Sequence, residues 1–412
     1  MKKLIAVTLC AACLCSCSLF PGTQDAASST QSGEDGFGFA LLGEKQAETQ
    51  ASETFKRCVW VSYLDLQQIL SDDAAQLQTN IAAMCDNLQK INATDVFLQV
   101  RAFGDSLYPS ALFPNAGRTV YSVYNADIDY LSAFCAQLHE RNIAVHAWVN
   151  PYRLSAAGDE EYARFVDAIK EKDRLAVIEY EDTRTLNPAN KTAQELILSG
   201  VRELLDNYDV DGIHFDDYFY PTTDAAYDEN TYAAFLADGG TMSLEDFRRT
   251  AVSELLAAVW AAVREKNEAL LFGVSPDANI DRDYSSHYAN VALWCGSEGY
   301  VDYVSPQIYF GFENESMPFA ATLSQWESIC TACDLIPGLS FYKAGTEDLF
   351  AGTGSVEWQQ NFDIIAGQYA QCRASDKCKG ISLYRYNSLF LPAQETASYA
   401  GLELYNLQKE IA

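Results

Sequence analysis

The sequence predicts an α/β chain closed into a (β/α)8 barrel, on three observations. Eight short apolar, strand-like runs follow one another between residues 58 and 386, and each gap between them is long enough for a crossover. Several of those gaps carry apolar residues at helical period. The polar members of the runs gather at their carboxyl ends, the rim on which such barrels build their sites. Strand–helix alternation makes neighbouring strands parallel, and eight such units bring the last strand back beside the first. A doubly wound open sheet is the competing arrangement, but no glycine-rich phosphate fingerprint follows the first strand.

In chain order, residues 1–17 stand apart. Met1-Lys2-Lys3 is a basic start, residues 4–14 are apolar but too few to span a bilayer, and Leu14-Cys15-Ser16-Cys17 closes the segment. This resembles a bacterial lipoprotein signal, with Cys17 as the lipidated residue after cleavage; an ordinary secretory signal is the alternative. The protein is thus expected to be exported and held to the extracytoplasmic face of the membrane by lipid alone. Residues 18–53 are rich in Ser, Thr, Gln, Ala, Gly and acids and read as a flexible, mostly disordered linker. Residues 54–412 form the barrel domain. Its strands are expected at 58–65, 95–103, 144–152, 212–220, 270–277, 303–310, 336–342 and 380–386. Helices are expected at 73–91, 128–141, 192–208, 244–266, 320–333 and 355–373, with 387–412 as a last helix or cover.

The formal charge of −29, two units more negative without Lys2 and Lys3, argues against a nucleic-acid partner. Eight cysteines remain after the signal is removed. Cys330-x-x-Cys333 with Cys372 and Cys378 is the one conceivable zinc set, but the second pair is wrongly spaced and no chelating His lies near. Four scattered His make no chelate, so neither metal nor cofactor is expected.

The densest chemistry lies in Asp211-Gly212-Ile213-His214-Phe215-Asp216-Asp217-Tyr218-Phe219-Tyr220-Pro221. Alternation sends Ile213 and Phe215 to one face and His214 and Asp216 to the other. Two acids at a strand's carboxyl end beside aromatic rings suit a polar ligand with flat apolar faces, such as a carbohydrate. Similar polar ends recur at Gln99-Val100-Arg101, His146 to Tyr152, Ser275-Pro276-Asp277, Pro306 to Tyr309, Ser340 to Tyr342 and Ser382 to Tyr386.

Together, Arg57-Cys58-Val59-Trp60-Val61-Ser62, Phe97-Leu98-Gln99-Val100-Arg101, His146-Ala147-Trp148-Val149-Asn150-Pro151, the Asp211–Pro221 segment, Gly273-Val274-Ser275-Pro276 and Val301-Asp302-Tyr303-Val304-Ser305-Pro306-Gln307-Ile308-Tyr309 resemble the bacterial glycosyl-hydrolase-like 10 family over about residues 55–390. Departures are Cys58, where a smaller residue is expected, and Asp277-Ala278-Asn279, where an aromatic-containing segment is expected. The resemblance implies a barrel glycoside hydrolase acting on bacterial cell-wall glycan of the peptidoglycan type; a non-catalytic glycan-binding lipoprotein on the same scaffold is the alternative.

Glycosidic cleavage needs one carboxylate at the anomeric carbon and one acid for the leaving oxygen. Asp216 is first choice for the carboxylate. Asp277 is expected as proton donor, with Asp217 as an orienting group or as the acid itself, and Glu313 and Asp65 as rivals. Retaining, inverting and substrate-assisted mechanisms stay open at this level. Substrate contacts are expected from Arg101, Trp148, Asn150, Tyr152, His214, Tyr218, Gln307 and Tyr309.

Overall fold

The computed structural model describes residues 55–217 and 219–412. The signal with Cys17, the whole linker and Tyr218 lie outside the described residues.

Eight barrel strands are labelled here in chain order: β1 Lys56–Val61, β2 Asp95–Arg101, β3 Ala144–Val149, β4 Gly212–Phe215, β5 Leu271–Val274, β6 Tyr303–Val304, β7 in two pieces, Asp334–Leu335 and Gly338–Leu339, and β8 Gly380–Leu383. All neighbours pair in parallel, from β6 through β5, β4, β3, β2 and β1 to β8. The two pieces of β7 close the ring. Its first piece pairs with β6 and its second with β8, and Ile336 N–H and Gly338 N–H bond to carbonyls of Val304 and Pro306 between them. Pro337, which has no N–H, interrupts the strand at the changeover.

Period-two alternation divides every strand. Val59, Val61, Val96, Leu98, Val145, Ala147, Ile213, Phe272, Val274, Ile381 and Leu383 face outward into one large apolar shell beneath the helices. Cys58, Trp60, Phe97, Trp148, Tyr303 and Ile336 face the barrel axis as a second buried cluster. The lumen is packed rather than open. Gly273 shows how tightly: a Cβ there would lie 2.0 Å from the Tyr303 ring, so only glycine on β5 leaves room for that side chain.

The main crossover helices form largely where the apolar period places them: Ala74–Gln89, Tyr130–His139, Lys191–Asn207, Leu244–Lys266, Phe319–Ile329 and Ile364–Ala374. Asp73, Asn190 and Ser243 cap three of them by accepting the backbone N–H three residues on. Besides short helices such as Tyr63–Ile69 and Val291–Gly296, larger features are additional to the sequence reading. An antiparallel three-stranded sheet of Arg153–Leu154, Thr183–Leu186 and Val177–Tyr180 stands in the β3–β4 connection, beside a helix at Glu160–Lys172, and a further helix spans Glu229–Ala237. Helices Tyr386–Phe390 and Ala397–Ile411 end the chain.

Candidate active site

The carboxyl ends of the strands rise above a solid floor. His214 lies flat on Phe97 at 4.2 Å between ring centroids and edge-on to Trp60 at 4.7 Å. Its nitrogens meet the Tyr303 hydroxyl at 2.9 Å and Ser275 Oγ at 3.2 Å. Complete burial, with His146 nearby, holds its pKa well below the ordinary value, so the ring is neutral. His214 is therefore part of the floor, and the expectation that it contacts substrate is corrected. The hydrogen bonds continue downward from Tyr303 to His146 (3.0 Å), Asp95 (3.0 Å) and Lys56 (2.6 Å), so the inward polar residues satisfy one another.

Directly above, Asp216 leans toward β3. Its Oδ2 accepts the Asn150 side-chain amide and, at 3.3 Å, the Trp148 indole N–H. Asn150 is fixed in turn, its Oδ1 accepting from Gln99 Nε2 at 2.7 Å while Gln99 Oε1 accepts the Tyr63 N–H at 2.7 Å. This relay sets the amide orientations of both Gln99 and Asn150 and leaves an N–H of Asn150 for the carboxylate. Trp148 and Asn150, expected to contact substrate, here orient Asp216. The buried carboxylate, 3% exposed, is presented as an acceptor.

Asp217, one residue on, turns the other way, toward β5 and β6. Burial raises its pKa, the negative charge of Asp277 raises it further, and His287 and a hydrogen bond from Gln307 only partly offset them. Asp277 is ion-paired with Arg282 and accepts the Asn279 N–H at 2.7 Å. Its backbone bridges to Gln307. A third acid, Asp283, is pushed well above the ordinary carboxylate range by burial, Asp277 and Asp217, and its Oδ1 lies 3.2 Å from His287 Nδ1. Asp277, expected as proton donor, is held in an ion pair with Arg282, and its negative charge is one cause of the raised Asp217 pKa.

The other expected residues divide. Gln307 and Tyr309 are half-buried on the rim, the Tyr309 ring 5.6 Å from Tyr384 and 5.9 Å from Tyr342. These three half-open rings stand above β6, β7 and β8, with Tyr63 and Phe103 paired at 5.2 Å above β1 and β2. Arg101 is not on the rim. Gln99 pairs with Trp148 but Arg101 with Val149, so Val100 is a bulge residue, and the slip turns Arg101 outward. Its guanidinium lies 4.2 Å over the Phe113 ring and fills the space beside Gly200. Tyr152 is likewise buried in the outer shell, beside Phe219 at 6.5 Å, with no hydroxyl partner among the described residues. Neither is placed to touch a sugar. Asp65 is locked under the rim by Ser62, Asn387 N–H and Arg385 at 2.6 Å, and Glu313 is exposed on a loop whose N–H caps Glu357.

Gln99, Tyr342 and Tyr384 sit in sequence motifs already noted, and only their inward alternation marks them as site residues. Asp283 and His287 lie in one π-turn, Asp283–His287, for which no sequence pattern exists.

The chain matches the glycosyl hydrolase-like 10 family over residues 56–350. It is 28% identical over 396 residues to the glycosyl hydrolase DigH of Escherichia coli K12, covering 86% of this chain and 88% of that protein. It is also 28% identical over 265 residues to the glycosyl hydrolase YngK of Bacillus subtilis 168, covering 60% and 51%. Among solved structures, the PgaB (BpsB) glycoside hydrolase domain of Bordetella bronchiseptica superposes with a TM-score of 0.55 at 14% identity, over 85% of this chain and 99% of that one. The catalytic domain of a β-amylase from Paenibacillus polymyxa does so with 0.54 at 10% identity, over 86% and 98%. The two superpositions establish the barrel, and the family match covers most of its strands and the rim carboxylates; the chain belongs to the glycosyl hydrolase-like 10 family and is a glycoside hydrolase.

Proposed function

We propose that this enzyme hydrolyses O-glycosidic bonds in a polysaccharide, a cell-wall glycan of the peptidoglycan type, with Asp216 acting at the anomeric carbon and Asp217 protonating the leaving oxygen. The observation that carries this is the divergence of two adjacent acids. Asp216 is gripped by N–H donors from β3, an arrangement that suits a fixed carboxylate, while Asp217 is driven toward its protonated form by burial and Asp277. Acid and base roles in one site are set by such opposed environments. Tyr309, Tyr342 and Tyr384 supply flat faces for pyranose rings, and Tyr342 is 41% exposed. The strongly negative chain favours an uncharged stretch of glycan over one crowded with anionic polymer. The leader-like residues 1–17 support export and a lipid on Cys17, with the barrel on the extracytoplasmic side.

The test is release of soluble fragments from purified glycan strands, with and without their peptides, by wild type and Asp216→Asn. Wild type should release fragments and Asp216→Asn should not. Equal release by both removes Asp216 from the chemistry, and tight wild-type binding with no release favours a glycan-binding role instead. Cys17→Ala should move the protein from the membrane to the soluble fraction; unchanged fractionation would remove the lipid anchor.

A further inference from the structure

At the opposite end of the barrel, three thiols converge. Cys295 lies in the helix Val291–Gly296, Cys330 caps the end of Phe319–Ile329, and Cys333 immediately precedes β7. Their sulfurs all lie within 4.8 Å of one another. The Cys330–Cys333 turn is wrapped on the third cysteine, since Thr331 and Ala332 N–H both donate to the Cys295 carbonyl, at 3.0 and 2.9 Å. Cys295 and Cys330 are buried, and Cys333 is half-exposed. Cys372 and Cys378, the other members of the set weighed from the sequence, are free thiols that hydrogen-bond to each other.

We propose that Cys295, Cys330 and Cys333 form a structural site for a thiophilic closed-shell cation, Zn2+ or Cu+, held by three thiolates with a fourth position open to solvent past Cys333. Tetrahedral Zn–S bonds of about 2.3 Å place sulfurs roughly 3.8 Å apart, so the cluster needs to contract by only about an ångström to close on an ion. Soft sulfur donors select such ions over Mg2+ or Ca2+. Three thiols also cannot all be satisfied by one disulfide, so oxidation would leave one of them unpaired.

An ion entering would displace thiol protons to solvent. The Asp302 carboxylate is occupied by Trp260 at 3.0 Å, Phe272 N–H at 2.7 Å and Arg264, which leaves the fourth position to water. The site lies at the amino ends of the strands, away from Asp216, and would tie two helices to the base of β7. Its expected effect is on stability rather than on glycan cleavage.

The full chain, reduced and stripped with chelator, would be titrated with Zn2+ and, anaerobically, with Cu+. Bound metal would be counted by elemental analysis, free thiols by a thiol reagent, and thermal midpoints recorded. One equivalent should bind, protect three thiols and raise the midpoint, with excess Mg2+ unable to compete. Cys333→Ser and Cys295→Ser should each weaken binding tenfold or more, while Cys372→Ser and Cys85→Ser retain it. Should Cys295→Ser fail to fold, the half-exposed Cys333→Ser decides. Binding by only one of the two ions identifies it. No bound equivalent, binding unchanged in Cys333→Ser, or a disulfide within the trio in freshly isolated protein would each overturn the proposal.

Discussion

Asp216 and Asp217 are joined by one peptide bond yet belong to different halves of the rim. The β3 half surrounds Asp216 with donors: Asn150, Trp148 and, behind them, Gln99 and the Tyr63 N–H. The β5–β6 half faces Asp217 with acids, Asp277 and Asp283, relieved by Arg282, His287 and Gln307. Identical side chains meet opposite environments because their neighbours differ in sign, which is the basis of the roles proposed for them. Position on the strand puts a carboxylate in the cup; the adjoining strand decides what it does there.

Neutralising the acidic half should have the largest effect. Asp217→Asn removes the proposed proton donor and should lower kcat by about 10²–10⁴-fold on a substrate with a poor leaving group. With an activated aryl glycoside, whose leaving group needs little protonation, the loss should shrink sharply; an equal loss on both substrates would assign Asp217 to binding or folding instead. Disturbing the donor half should cost less. Asn150→Ala removes one donor to Asp216 and leaves the Gln99 amide unpaired, and kcat should fall by about 10–100-fold with KM within about threefold. A rise in KM alone would return Asn150 to direct substrate contact.

Asp277→Asn probes the boundary between the halves with a smaller effect. If Asp217 must be protonated, activity falls as pH rises through its raised pKa. Removing the Asp277 charge takes away one cause of that rise, so the falling limb of kcat/KM should move to lower pH. An unmoved limb would break the link between the two acids.

How much of this was legible in the sequence follows from which neighbours were in play. The barrel was legible because alternation and crossover length are local properties, and the inward placement of His214 and Asp216 followed from the same period of two. Arg101 was misplaced because one bulge at Val100 reverses the face of the next residue, and a bulge leaves no mark in composition. The difference between Asp216 and Asp217 depends on β3, β5 and β6, whose contributing residues lie about sixty to ninety positions away along the chain. The same holds for the thiols, where Cys295 is remote in sequence but completes the trio that Cys372 and Cys378 do not.

A third acid tests whether upward pressure on a carboxyl alone explains pH behaviour, at the smallest scale. Glu403, in the last helix and 1% exposed, accepts the N–H groups of Ile364 (3.0 Å) and Ile365 (3.2 Å). Burial pushes its pKa up from 4.5 to about 7 against those two hydrogen bonds, with Asp363 adding to the rise. A folded-state pKa above the unfolded one means the folded protein holds the proton more tightly. Its contribution is therefore complete below pH 4.5 and is lost as pH climbs through about 7. The span sets an upper limit of about 3 kcal/mol, or a few degrees of Tm in a chain of this size. Glu403→Gln keeps an acceptor for one of the two N–H groups, which bond to different carboxyl oxygens, and cannot ionise, so its Tm should gain relative to wild type as pH rises from 5 to 8, while the pH profile of kcat/KM stays in place. Parallel Tm curves would show that Glu403 does not titrate in this range. A displaced activity limb would show that the profile assigned to Asp217 reports stability rather than proton donation.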